Sequence, residues 1–197
     1  MQSAADTGVQ RCAKCGKNNA LLRCSRCRLS DYCSSKCQSN DWANHKQVCI
    51  PENVLGVVIH CNAERRHSGI FESVNIGRSH EIYSTGKIAP VSKMVGHPLV
   101  VYRHHPPPSR QSPSLDNQIA TYLMIETSDG FALPEWQNSV GTITVMRKDG
   151  KPLTTDAMEA IWMYHDNLLE LFGDSADAAH RQMNRASFER FCKKYKK

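Results

Sequence analysis

The chain lacks most of the features that would place it quickly. No stretch of its 197 residues approaches the roughly 20 apolar residues needed to cross a bilayer, so a helical membrane span is not expected. Residues 1–10 are polar, carry no apolar run of the signal-peptide kind, and read as disordered. Aromatic residues make up 7% of the chain, and none is interleaved with the basic residues as a platform for stacked bases. There is no phosphate loop, no dinucleotide fingerprint and no internal repeat. Hydrophobic residues at 40% and charged residues at 22% still allow a buried core, and the length suits one small module plus one modest globular domain.

Cysteine is in excess. Seven of the nine cysteines and one histidine fall in the first 50 residues, as Cys12-x2-Cys15-x8-Cys24-x2-Cys27-x5-Cys33-x3-Cys37-x7-His45-x3-Cys49. Eight such ligands in four short pairs are enough to hold two tetrahedral zinc ions. The Cys-x2-Cys spacing lets a tight knuckle turn bring both thiolates to one metal. The pairs Cys33/Cys37 and His45/Cys49 are spaced i, i+4, which places both side chains on one face of a helical turn. Spacing alone also allows a sequential arrangement, with Cys12, Cys15, Cys24 and Cys27 on one ion. Thiols kept for metal imply a reducing compartment, hence cytoplasm or nucleus.

The series resembles the MYND-type zinc finger. Tyr32-Cys33, Ser34-Ser35-Lys36-Cys37-Gln38, Asp41-Trp42, His45-Lys46 and Cys49 sit where that family places such residues. The resemblance implies interleaved binding: Cys12, Cys15, Cys33 and Cys37 on the first zinc, and Cys24, Cys27, His45 and Cys49 on the second. RING fingers differ in placing a histidine directly after the third cysteine, where this chain has Leu29, Ser30 and Asp31 beyond Cys27. Four protein ligands per ion make a closed, structural site rather than a catalytic one. Leu21, Leu22, Tyr32, Trp42 and Val48 are expected to form the small core between the ligands. The family further implies binding of a protein segment, a proline-containing one among the candidates, with Trp42 either in that groove or packed on the second site.

The formal net charge of +6 is unevenly spread. Residues 11–50 carry a formal +6, which seven thiolates and two zinc ions reduce to +3, and residues 181–197 carry another +6. The middle of the chain is therefore acidic. A nucleic-acid-associated or transcriptional co-regulator role is the alternative reading, but a solvated surface with a basic tail explains the same charges.

After the finger, residues 51–197 read as an α+β domain, a mainly antiparallel sheet covered by one or two helices, ending in a basic tail. Strands are expected at Val54 to Cys61, Ile70 to Ile76, Leu99 to Arg103, Ile119 to Glu126 and Ser139 to Arg147. Residues 105–118, with Pro106, Pro107, Pro108 and Pro113, read as a long loop between strands, its proline triplet a candidate polyproline II segment. A helix is expected from Asp156 to Phe172, capped by Thr154 or Thr155 and stopped by Gly173. Its apolar stripe runs through Met158, Ile161, Trp162, His165, Leu168, Leu169 and Phe172. Residues 174–183 read as a polar connector, and Ala186 to Tyr195 as a short basic helix. This domain resembles the companion domain of uncharacterised fungal MYND proteins around Asp116-Asn117-Gln118-Ile119-Ala120 and Gly150-Lys151-Pro152-Leu153, a likeness that implies no activity.

No catalytic set emerges. Some MYND proteins are lysine methyltransferases, but the one Asn-His pair here, Asn44-His45, is already assigned to zinc. His104-His105 has no matching carboxylate or cysteine nearby in sequence. His60 and Cys61 are adjacent in a strand and point to opposite faces. The reading is a non-enzymatic protein that binds two structural zincs and a protein partner.

Overall fold

The computed structural model describes residues 10–65, 69–105, 111–126, 128 and 130–195. The disordered terminus expected at residues 1–10, save its last residue, and the polyproline segment expected at residues 106–108 lie outside them. The chain divides into two compact units, Met1–Asn53 and Val54–Lys197.

The first unit has little regular structure. Strands β1 (Leu22–Arg23) and β2 (Asp31–Tyr32) pair antiparallel, with Leu22 opposite Tyr32. Helix α1 (Ser35–Val48) follows, and Ser34 caps it by accepting from the Cys37 N–H at 3.2 Å. The only buried residue of α1 is His45. The unit's interior consists of Cys12, Ala20, Cys24, Cys27, Tyr32 and Cys49. This corrects the expected apolar core. Leu21 is 86% exposed and Val48 73%, and Leu22 and Trp42 are also exposed, so Tyr32 alone of the five is buried. The metal-ligating side chains occupy the centre and leave no room for the aliphatic ones.

The second unit is built on a five-stranded sheet in the order β4-β3-β7-β6-β5. Its strands are β3 (Asn53–Ile59), β4 (Phe71–Gly77), β5 (Lys87–Ile88), β6 (Leu99–Arg103) and β7 (Ile143–Arg147). The β3–β7, β7–β6 and β6–β5 pairs are antiparallel. Alternation along these strands sorts the side chains. Val57, Ile59, Leu99, Val101, Ile143 and Val145 face the main core, while Val54, Val100 and Met146 join Ile76 and Ile82 in a smaller cluster. Gly56 is required by the close approach of β4. A Cβ there would stand 2.4 Å from the Ile76 Cδ1 atom and 2.6 Å from the Val145 carbonyl.

Among the described residues six α-helices accompany the sheet: α2 (Ile82–Thr85), α3 (Ser92–Val95), α4 (Gln118–Leu123), α5 (Thr155–Asp174), α6 (Ala176–Gln182) and α7 (Arg185–Tyr195). Met158, Ile161 and Leu168 of α5 and Phe188 of α7 pack in the main core. Thr154 caps α5, accepting from the Ala157 N–H at 3.2 Å. The helix runs through Gly173 to Asp174, and Ser175 both ends it and caps α6, so the expected stop and the expected connector are corrected together. Gly173 lies in a helical turn where a glycine costs only about 1 kcal/mol, which the packing tolerates.

The strand expected at Ile119 to Glu126 is instead α4. Ile119, Ala120, Tyr122 and Leu123 are buried at helical spacing, so packing overrides the β-branched composition. Asn117 decides the matter. Its side chain is buried, donates to the Ile59 carbonyl at 3.0 Å and the Gly141 carbonyl at 2.9 Å, and accepts from the Ala120 N–H at 3.2 Å. Asp116 accepts from the Ser139 N–H at 2.8 Å. The Asp116-Asn117 pair thus ties the end of β3, the loop before β7 and the start of α4 into one joint.

Candidate metal centre

The first knuckle, Cys12 to Gly16, closes with the Gly16 N–H donating to the Cys12 carbonyl at 2.9 Å. The second, Cys24 to Arg28, closes the same way, Arg28 N–H to Cys24 carbonyl at 2.8 Å. Both turns need a left-handed residue at the fifth position. Gly16 adopts φ 70° and Arg28 adopts φ 55°, so one knuckle uses glycine and the other forces arginine into the same shape. The β1–β2 hairpin returns the chain to Cys33, one residue before the Ser34 cap. Helix α1 then carries Cys37 and His45, and Cys49 stands at its C-cap.

These elements bring the eight residues into two clusters: Cys12, Cys15, Cys33 and Cys37 in one, and Cys24, Cys27, His45 and Cys49 in the other. Within each, the donor atoms all lie within 4.8 Å of one another. The grouping is the interleaved one.

The distances test the fit. Zn–S bonds of about 2.3 Å arranged tetrahedrally put sulfurs about 3.8 Å apart, and a Zn–N bond of about 2.0 Å puts nitrogen about 3.5 Å from sulfur. The Cys15–Cys33 and Cys33–Cys37 sulfurs are separated by 3.6 and 3.5 Å, and the Cys24–Cys49 sulfurs by 3.8 Å. The His45 Nε2 atom lies 3.5 Å from the Cys27 sulfur and 3.3 Å from that of Cys24. One cluster of four cysteines, and one of three cysteines with a histidine, are thus suited to two zinc ions.

Electrostatics point the same way. Hydrogen bonding with the Cys37 thiol, and then with Cys15 and Cys12, pushes the Cys33 thiol up to about 12. Burial, then contact with Cys24 and Cys27, pushes Cys49 up to about 12. Burial also works against ionisation of Cys12, but N–H groups of Cys33, Cys15 and Lys14 outweigh it and bring that thiol down to about 6. Within each cluster the neighbours favour ionisation of one thiol and oppose that of another, so full ionisation of a cluster calls for a cation.

The surroundings steady the donors. The Leu29 N–H donates to the Cys27 sulfur at 3.4 Å, and the Ser30 hydroxyl lies 3.4 Å from His45 Nδ1, the ring nitrogen turned away from the cysteines. Tyr32 meets the His45 ring edge-on at 6.1 Å and donates its hydroxyl to Asp41 at 3.0 Å. Trp42 leans on His45 at 5.9 Å with its other side open to solvent. Of the arginines near the knuckles, Arg23 pairs with Asp31 at 2.8 Å and Arg28 with Glu52 at 3.4 Å.

In the second unit the fold supplies a carboxylate that sequence spacing did not show. Glu64 stands 3.8 Å from His105 and accepts from the Thr142 hydroxyl at 2.6 Å. His104 and His105 also line an open cleft of about 400 Å³ beside Tyr102, Arg103 and Trp136. Its tyrosine and arginine are engaged, while the Trp136 indole N–H is buried without a hydrogen-bond partner. Tyr102 donates to Glu81 at 2.7 Å, and the Arg103 guanidinium donates to the carbonyls of Glu135, Ser139 and Val140. His60 and Cys61 fall just beyond the end of β3 and still diverge, Cys61 into the interior and His60 to Glu72 at 3.0 Å.

The family model for the MYND finger matches residues 12–49. Among curated proteins, human Egl nine homolog 1 is 43% identical over 67 residues, covering 34% of this chain and 15% of that protein. The human histone-lysine N-methyltransferase SMYD3 is 50% identical over 40 residues, 19% of this chain and 9% of its own length. Dauer abnormal formation protein 25 of Caenorhabditis elegans is 50% identical over 40 residues, 20% of this chain and 10% of its own. The chain thus spans less than a sixth of these relatives. No solved structure matches. Residues 12–49 of this chain are a MYND-type zinc finger, with two donor clusters suited to two zinc ions.

Proposed function

We propose that the protein is a non-enzymatic intracellular adaptor. Its finger, held by zinc on Cys12, Cys15, Cys33 and Cys37 and on Cys24, Cys27, His45 and Cys49, binds a segment of a protein partner, and its second domain engages another partner or a second copy. MYND fingers commonly mediate protein–protein contacts. The observation that carries the reading is the apolar exposure of the finger: Leu21, Leu29 and Val48 are 86%, 69% and 73% exposed, and Trp42 is partly open in the same small unit. So many large apolar groups exposed on so small a unit favour a contact surface. The relatives that are enzymes match over too little of their length to bring their chemistry here. In the second unit the cleft beside His104 and His105 has its arginine and tyrosine committed to structural partners.

The test is a panel of proline-containing and proline-free peptides titrated against the zinc-loaded protein. Saturable binding of a subset, lost after chelation and weakened at least about tenfold in Trp42→Ala, is the expected result. Binding of none, with the finger shown folded, defeats the reading. Tight binding of duplex or single-stranded DNA that falls steeply with salt would move it to the nucleic-acid alternative.

A further inference from the structure

Helix α7 has two sides. On one, Glu189 takes the Arg185 guanidinium at 2.8 Å. On the other stand Arg190 and Lys194, spaced i, i+4 and therefore neighbours on one face. Among the described residues neither enters an ion pair, and Arg190 spends one donor on the Ser187 hydroxyl at 2.8 Å. Like charges at this spacing repel, and an anion placed between them relieves the repulsion.

Both cations line a cleft of about 320 Å³ between α5 and α7, and its lining contains no acidic residue. The walls are apolar and aromatic, with Leu168 and Leu171 from α5 facing Phe191. Tyr164 packs against Phe191 at 5.1 Å, and its hydroxyl is already used, donating to the Gln182 carbonyl at 2.6 Å. Asn167 contributes an amide on the α5 side. A cleft with two unneutralised cations, hydrogen-bonding groups and a greasy wall matches a ligand with carboxylates beside an apolar side chain. Its volume is about that of two or three residues, which favours a short segment over a flat contact.

We propose that the α5–α7 cleft receives an acidic, apolar-anchored segment of a partner protein. Arg190 and Lys194 hold its carboxylates, and Leu168, Leu171 and Phe191 take its apolar side chain. This rests on the adaptor reading only in naming the chemistry of the second partner. The finger takes no part in it.

The experiment uses the full zinc-loaded chain and two fluorescein-labelled eight-residue peptides, one alternating glutamate with leucine and the other alternating lysine with leucine. Anisotropy is expected to show saturable binding of the acidic peptide, weakening as salt rises, and binding of the lysine peptide at least about tenfold weaker. Arg190→Glu and Lys194→Glu should each weaken the acidic peptide about tenfold or more, while Lys193→Glu changes it by less than about threefold. Lys194 is exposed, so its substitution leaves folding intact even if Arg190→Glu does not, and circular dichroism checks both. Equal binding of the two peptides overturns the proposal, as does a Lys193→Glu loss matching that of Arg190→Glu. Tighter binding of a single-stranded oligonucleotide through Arg190 and Lys194 also overturns it, as does displacement of the peptide by inorganic phosphate at sub-millimolar concentration. Trp42→Ala should leave the acidic peptide unaffected. Loss of one peptide class with retention of the other therefore separates a failure here from a failure of the finger's proposed role.

Discussion

In residues 12–49 the buried side chains are mostly those of the two donor clusters. In residues 54–197 they are aliphatic and aromatic, spread over both faces of a sheet. The first unit turns its leucines and valine outward because its centre is occupied by sulfur and imidazole. The second turns Leu99, Leu123, Leu153 and Leu168 inward, where they join the main core. The same residue types thus serve opposite purposes in one chain, and each unit should fail for a different reason.

Removing the metal tests the larger side of that contrast. Each structural zinc contributes on the order of 10 kcal/mol or more at neutral pH, well beyond what a unit of this size gains from apolar burial. A strong chelator should collapse the amide signals of residues 12–49 and leave those of β3, β6 and β7 in place. Cys24→Ser or His45→Ala should do the same to the finger alone. Loss of the second unit's signals along with the finger's would mean that the two do not fail separately. The reciprocal experiment removes apolar volume. Leu123 is fully buried beneath the sheet, and Leu123→Ala should cost the second unit about 4 kcal/mol through lost burial and the cavity left behind. Urea unfolding followed at β7 should shift, while zinc content stays at two ions per chain.

Acid separates the units in another way. His165 is buried in α5, stacked at 5.6 Å on Tyr122, with Nδ1 donating to the Ile161 carbonyl and Nε2 without a partner. Burial holds its pKa down at about 4, and the carbonyl bond recovers only part of the loss. The unfolded chain takes up this proton near the ordinary histidine value of about 6.5, and the folded chain does not until about pH 4. Stability is therefore full above about pH 6.5 and falls as pH drops towards 4, by roughly 3 kcal/mol in all. His165→Leu should flatten that slope in the second unit, measured by urea unfolding at pH 7 and pH 4.5. An unchanged slope would assign the acid sensitivity elsewhere.

What the sequence made legible follows the same division. The ligand spacings alone picked out the eight residues that the fold gathers into two clusters, because a knuckle or a helical turn fixes where the second residue of each pair goes. Strand β6 and helix α5 are also plain, the first as a short β-branched apolar run and the second as an apolar stripe at helical spacing. Leu21, Leu22 and Val48 mislead because apolar character ordinarily goes with burial, a rule that fails where metal supplies the core. Helix α4 misled because Ile119, Thr121 and Tyr122 favour strands locally, while the Asn117 cap acts through carbonyls at Ile59 and Gly141, far off in sequence. Glu64 beside His105, and the cleft behind Arg190 and Lys194, arise only when distant segments meet, so no local pattern announces them.

The smallest predicted effect lies inside the finger, where its two knuckles offer a comparison of their own. They close with the same hydrogen bond and need the same left-handed fifth residue, yet one has Gly16 and the other Arg28. Nothing stands within 4 Å of a Cβ built on Gly16, so Gly16→Ala meets no clash and loses only what the left-handed backbone costs, about 1 kcal/mol. Arg28→Gly should recover a similar strain. Part of that gain is offset by the greater freedom of glycine in the unfolded chain, and little by the loss of the exposed pair with Glu52. The net should be a stabilisation of about 0.5 kcal/mol or less, read as a small rise in the chelator concentration needed to strip half the zinc. Opposite signs at the two positions are the signature of a backbone cause. If both substitutions weaken zinc retention, Arg28 contributes through its side chain, and the two knuckles are alike in shape but not in what holds them.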